Sequence, residues 1–377
     1  MDNGIVGNIL KILQVYYEPM ISGQTTHVLS LSKELVLRGH DVTVIFPDAI
    51  REAHREFNAA GIKVIILPMG KLIWPMQSMR EFMRVIQQER FEIIHVHSQE
   101  AGIIARWLSK VGNAPNIFYT PQTIDIRQRR WHKLYMIFER MFAGITTQIF
   151  SVSQVDAARM ISWGIPAKKI QVVPNGIDLT QFDNLEARDT ICGRLSLRTN
   201  RPVILQIGRL SPQKDPLMFL KGAGLIVSGN SEVQLVWIGE GPLYDHVKTE
   251  VASLQLQENI FFLGRIEKAY RYIPAADVVT STSRWEGLPY SILEAMACSK
   301  PVVSTAVNGC AEAVIDGSTG YLVDAGDVNG WAESVLRLIA HPDQAKSMGN
   351  SGRKLLEEQF TLSRMVTQIE QTYTDYL

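Results

Sequence analysis

Glu286 and Glu294 bracket a short apolar run, Gly287-Leu288-Pro289-Tyr290-Ser291-Ile292-Leu293. Pro289 suits the first position of a helix, where its missing N–H costs nothing. The run therefore predicts a helix from about Pro289 to Cys298, ending before Pro301. Glu286 then lies in the loop before the helix and Glu294 about a turn and a half inside it. The N–H groups of Tyr290 and Ser291 point out of the helix start, an end that favours anions such as phosphate. One segment thus offers carboxylates for hydroxyls and backbone N–H groups for phosphate, which suits a ligand bearing both sugars and phosphates. The plainer alternative is a capped helix with Glu294 solvated.

A second candidate is the Pro-bounded loop Gly208-Arg209-Leu210-Ser211-Pro212-Gln213-Lys214-Asp215-Pro216. Arg209 and Lys214 are two cations at a strand end. They are placed to clamp a diphosphate through charge-assisted bonds of about 1.5–3 kcal/mol each, unless the loop is simply solvated. A third is Ser22-Gly23-Gln24-Thr25-Thr26, where a glycine lets backbone approach a ligand. Other motifs are missing. There is no G-x-x-x-x-G-K-[ST] and no H-E-x-x-H, and Gly239-Glu240-Gly241 lacks the third glycine of a dinucleotide fingerprint. No D-x-D occurs, so the expected site is metal-free, with Arg209 and Lys214 in the cation's role and no cofactor.

The elements that must carry these residues alternate. Ile9–Tyr16, Asp41–Phe46, Lys63–Leu67, Ile93–Val96 and Ile117–Tyr119 read as strands buried on both faces, with helical spacing in Thr25–Arg38 and Met79–Glu89. The plan restarts with Pro202–Gly208, Gln234–Ile238, Asn259–Leu263, Asp277–Thr280 and Pro301–Ser304. Ile12-Leu13-Gln14-Val15 and Ile204-Leu205-Gln206-Ile207 open the two series alike. The fold class is α/β, with two Rossmann-like doubly wound domains and a site expected in the cleft between them. The expected domains are 1–185 and 186–357, with a terminal helix over 358–377.

The 377 residues carry 38 Lys+Arg and 38 Asp+Glu, a zero formal charge that argues against a nucleic-acid partner. Three cysteines without a C-x-x-C argue against a disulfide framework or zinc site and for a reducing compartment. Met1–Leu13 does not read as a signal peptide, and no apolar stretch reaches a membrane-spanning length. The expected place is cytoplasmic.

The chain resembles glycosyltransferase family 4, the retaining, sugar-nucleotide-dependent enzymes of the GT-B fold. The run Glu286–Thr305 looks like that family's E-x7-E signature and following strand. Ser22-Gly23, Arg38-Gly39-His40-Asp41-Val42, Val173-Pro174-Asn175-Gly176-Ile177-Asp178, Gly208-Arg209-Leu210 with Lys214, Gly239-Glu240-Gly241-Pro242 and Gly317-Ser318-Thr319-Gly320-Tyr321 complete an ordered series. The resemblance implies that Glu286 holds donor-sugar hydroxyls and Glu294 the ribose. It implies that Arg209 and Lys214 bind the diphosphate, and that Leu288, Pro289, Tyr290 and Ser291 line the phosphate and sugar site. Arg265 and Ile266 would sit near the base, and Gly23 would close on the phosphates from the other domain. The final helix would return to the N-terminal domain. The implied partners are a nucleotide-sugar donor, a UDP-sugar in most relatives, and a saccharide or lipid-linked acceptor.

Three positions depart from that pattern. Gln122 stands where many relatives have His, and an amide cannot act as a general base. Ser299 replaces a usual Gly, and Asn308-Gly309-Cys310 a usual Gly-Gly pair. Two readings follow from Gln122: front-face attack in which the departing phosphate takes the acceptor's proton, or a base elsewhere. Gln122 also keeps open a catalytically silent sugar-nucleotide-binding subunit, and a nucleotide-sugar hydrolase or epimerase is a further alternative. His95 and His97 read as a polar strand end or acceptor-pocket wall, with metal ligation the lesser alternative. The basic-aromatic run Arg127–Lys133 before Leu134-Tyr135-Met136-Ile137-Phe138 has two readings, a helix lying on an anionic membrane at its inner face or an ordinary helix with a buried apolar side.

Overall fold

Residues 9–18, 22–70, 74–124 and 132–377 are described by a computed structural model of the chain. Its strands are β1 (Lys11–Tyr16), β2 (Asp41–Pro47), β3 (Lys63–Leu67), β4 (Ile93–His97), β5 (Asn116–Thr120), β6 (Gln148–Ser151) and β7 (Ile170–Val172), then β8 (Val203–Ile207), β9 (Gln234–Ile238), β10 (Ile260–Phe262), β11 (Val278–Ser281), β12 (Val302–Thr305) and β13 (Gly320–Val323). They form two sheets ordered β3-β2-β1-β4-β5-β6-β7 and β10-β9-β8-β11-β12-β13, parallel throughout. Both orders reverse beside the first strand, the doubly wound arrangement that places ligand crevices beyond the strands' carboxyl ends.

The strands are nearly continuous Val, Ile and Leu because helices cover both faces. The repeated Leu-Gln pair has a shared use. Gln14 of β1 bonds the imidazole of His97 on β4 at 2.6 Å. Gln206 of β8 donates to Thr282 after β11 at 3.0 Å and accepts from Thr280 on β11 at 3.2 Å. Each buried glutamine ties the two strands that flank its sheet's point of reversal.

By contact the chain divides into Met1–Gly176 with Leu362–Leu377, and Ile177–Thr361. The sequence placed these divisions at 185/186 and 357/358. The polar stretch Asp183–Asn200 contains the helix Arg188–Arg194, whose Arg188 pairs with Asp277 before β11 and so joins it to the second unit. Ile177 donates to the Phe360 carbonyl at 2.9 Å and bridges to Thr361, so the two division points are neighbours.

The helix Leu362–Asp375 packs Leu362, Met365, Val366, Ile369 and Tyr373 into the core of the first unit. Arg38 and His40 both hold Glu370, at 2.6 and 2.8 Å. Arg38 and His40 flank Gly39, whose φ of +95° lets the helix Gly23–Leu37 end in a tight turn, with His40 N–H on the Leu35 carbonyl.

Ser299 has φ +53°, the left-handed region that disfavours a Cβ. Ser299→Gly is expected to raise the stability of the second unit by about 0.5–1 kcal/mol in urea unfolding. An unchanged midpoint would show that the strain is absent.

Candidate active site

The loops after β8 and β11 meet at the reversal of the second sheet. Lys214 Nζ lies 2.5 Å from Glu286 Oε1, and both side chains are largely buried. Glu286 Oε1 also accepts from Ser283 Oγ at 2.7 Å, and Gln213 Nε2 reaches the Trp285 carbonyl at 3.1 Å. The backbones are stitched as well. Arg284 N–H donates to the Gln213 carbonyl at 2.8 Å, and Thr282 Oγ1 donates to the Lys214 carbonyl at 2.8 Å. Arg284 Nε grips Asp215 Oδ2 at 2.6 Å, while Asp215 Oδ1 caps the helix Pro216–Gly229 at Met218 N–H. Lys214 spends one of its three donors on Glu286 and keeps two for another anion.

The helix begins at Tyr290, not Pro289. Pro289 is its N-cap in an extended conformation, so the helix is Tyr290–Ala297. A proline that leads into the helix without entering it brings no capping side chain, and the first turn holds no acid. Leu288, Pro289 and Tyr290 are buried and Ser291 is half-buried. The loop before the helix is pressed against the turn after β12. A Cβ on Gly309 would stand 2.0 Å from the Gly287 carbonyl oxygen, so only glycine fits there. That is the close approach that the Asn308-Gly309-Cys310 run serves. Behind it, burial pushes the Cys310 thiol up to about 12, with the Glu286 carboxylate adding to the shift.

Glu294 sits one turn inside the helix, on the face shared with Tyr290 and Cys298. Burial pushes its carboxyl up to about 7. Arg209 is exposed and has no carboxylate partner among the described residues. Thus Lys214 and Glu286 touch, Leu288–Ser291 and Glu294 continue from them, and Arg209 shares the Lys214 loop without joining the network. Arg265, exposed, and Ile266, half-buried, follow β10 in a turn whose Gly264 carbonyl accepts from Gly239 N–H at 2.8 Å. All of these lie at the carboxyl ends of strands of the second sheet.

The other two candidates belong to the first unit. Gly23 is the exposed first residue of its helix, capped by Ser22, whose Oγ accepts from Gln24 N–H at 3.2 Å. Gln122 follows β5 with φ +63°, half-buried, and its Oε1 accepts from Asn175 Nδ2 at 3.5 Å. His95 and His97 are fully buried, so neither lines an open acceptor wall. His95 bonds Tyr373 and Thr120 at 2.6 and 2.7 Å, and burial holds both imidazoles well below their usual pKa. Among the described residues no three His, Cys, Asp or Glu side chains gather in a metal-holding group. Residues 127–131 of the basic run lie outside the described residues.

The sequence reading missed Ser283, Gln213, Arg284 and Asp215. A signal existed for two of them, since Ser283-Arg284-Trp285-Glu286 has capping-box spacing and Asp215-Pro216 is a helix-start pair.

Two parallel-sheet domains of this topology, with a charged and phosphate-suited loop cluster on the second, define the GT-B class of glycosyltransferases. Residues 21–181 match the family model Glycosyltransferase Family 4, and residues 188–355 match Glycosyl transferases group 1. The chain belongs to the family 4 glycosyltransferases. It is 26% identical to UDP-Gal:alpha-D-GlcNAc-diphosphoundecaprenol alpha-1,3-galactosyltransferase of Escherichia coli, over 97% of each chain. It is 24% identical to N-acetyl-alpha-D-glucosaminyl L-malate synthase of Bacillus anthracis, over 95% of each. Among solved structures, HepE of Anabaena in complex with UDP-glucose superposes with a TM-score of 0.86 at 20% identity, over 97% of this chain and 100% of that one.

The raised Glu294 pKa has a stability consequence. Its folded value, about 7, lies above the ordinary value of 4.5, so the neutral acid is favoured in the fold and stability falls as pH rises through 7. Glu294→Gln is expected to be more stable than the parent at pH 8, by about 1–3 kcal/mol, with the gap closing near pH 4.5. Urea unfolding at both pH values checks this, and a pH-independent gap would contradict it.

Proposed function

We propose that this glycosyltransferase moves a hexosyl group, with retention, from a UDP-sugar to a saccharide or lipid-linked acceptor, without a metal. The observation that carries the reading is the Lys214–Glu286 pair at the reversal of the second sheet, in front of an uncapped helix start. In this reading Glu286 holds donor-sugar hydroxyls. Lys214, Arg209 and the helix start take the diphosphate, with Leu288–Ser291 around it. Glu294 takes the ribose, Arg265 and Ile266 flank the base, and Gly23 approaches the phosphates. The names of the relatives support the choice of donor and acceptor: the E. coli enzyme's names UDP-Gal and an undecaprenol diphosphate, and HepE was solved with UDP-glucose.

Breaking the anomeric C–O bond builds charge on the β-phosphate. Cations and N–H dipoles already fixed around that oxygen favour the charged state over the ground state. Gln122 cannot take a proton, so the acceptor hydroxyl attacks from the face the phosphate leaves. Its oxygen bonds the anomeric carbon while its proton passes to the departing phosphate oxygen.

Lys214→Ala and Arg209→Ala are each expected to lower kcat by about 10²–10³. Glu286→Gln, which keeps the shape of the site, should abolish transfer with the fold retained. Near-normal turnover in both cation variants would remove them from the mechanism. A thermal-shift panel of UDP, GDP, ADP and their sugars tests the donor, and stabilisation by GDP or ADP alone would overturn the UDP assignment.

A further inference from the structure

The helix His132–Ala143 inverts the usual pattern of a surface helix, which buries its apolar stripe. Its Tyr135, Met136 and Phe142 are half-buried and Ala143 is buried, but Leu134, Ile137, Phe138 and Met141 are 46, 55, 37 and 64% exposed. At 3.6 residues per turn they share one arc. Lys133 and Arg140, both exposed, border it. The helix's acid, Glu139, is buried on the opposite side.

The inversion is held in place. Glu139 accepts two bonds from Arg106 Nη2, at 2.9 and 2.8 Å, and the Arg106 guanidinium stacks 3.9 Å over the Tyr119 ring. Arg106 Nε in turn donates to the Gly102 carbonyl at 2.9 Å. The helix cannot roll its apolar arc inward without separating a fully buried ion pair.

An apolar arc bordered by cations matches the interface of an anionic bilayer, where the apolar side chains enter the acyl boundary and the cations meet the headgroups. A second copy of the chain fits less well. An isologous contact would set Lys133 and Arg140 against the same residues of its mate. We infer that the outward face of helix His132–Ala143 docks the protein on an anionic lipid surface. The inference stands apart from the donor assignment, which concerns the second unit.

The test is flotation of the full chain with vesicles of phosphatidylcholine alone or mixed equally with phosphatidylglycerol. Flotation is expected with the anionic vesicles only, and to weaken in high salt. Ile137→Asp with Met141→Asp should lower partition about tenfold or more. Lys133→Glu with Arg140→Glu should remove the preference for anionic lipid. Both pairs should keep the parent's circular dichroism and its thermal shift with UDP. Absence of flotation, or flotation unchanged by Ile137→Asp with Met141→Asp, overturns the inference. So does a concentration-dependent dimer that this pair dissolves, which would assign the face to a second copy. Loss of the nucleotide shift in the parent, with flotation intact, counts against the donor reading alone.

Discussion

A lysine and a glutamate held in contact at the carboxyl edge of a parallel sheet organise the second unit's site. Lys214 and Glu286 come from loops that follow different strands, β8 and β11, and each is largely removed from water. An isolated charge in that position would be costly, so each makes the other tolerable. The pair needs both loops to keep their shapes. The Arg284–Asp215 bridge, the Thr282 hydroxyl and the Gln213 carbonyl supply that restraint. These bonds join loops far apart in the sequence, and two of the three end on backbone carbonyls.

Around that pair, charge is distributed unevenly by the backbone. The helix after Pro289 starts without a capping side chain or a first-turn acid. One turn later Glu294 is buried far enough to hold its proton near neutral pH. Glu286, with an ammonium and a hydroxyl as partners, and Glu294, with burial as its main influence, are two carboxylates of one short segment in opposite surroundings.

The first unit spends its buried polar groups differently. Gln14, His95, His97, Thr120 and Tyr373 bond one another across the carboxyl end of its sheet and join the last helix to it. Arg106 and Glu139 fix the orientation of a helix that turns an apolar stripe outward. In both places a buried polar group dictates geometry that apolar packing would leave loose.

Much of this was legible in the sequence. Continuous apolar runs marked most of the strands, because a strand covered on both faces has no polar side to interrupt it. The strands β6, β7 and β13 put Gln, Ser or Gly into runs of three or four residues, which broke that signal. Glu286, Lys214, Glu294 and the helix entrance were legible from residue type and spacing, since loop chemistry is local. Which side chains meet was not. The sequence could set Arg209 and Lys214 together as a clamp, but only the packing of β8 beside β11 decided that Lys214 turns to Glu286 while Arg209 stays in solvent. It could mark Leu134–Phe138 as amphipathic, but the side that faces out was decided by Arg106, on another helix. Periodicity depends on neighbours along the chain and is written there. Partnership depends on which distant segments the fold brings within a few ångströms, and no local pattern carries that information.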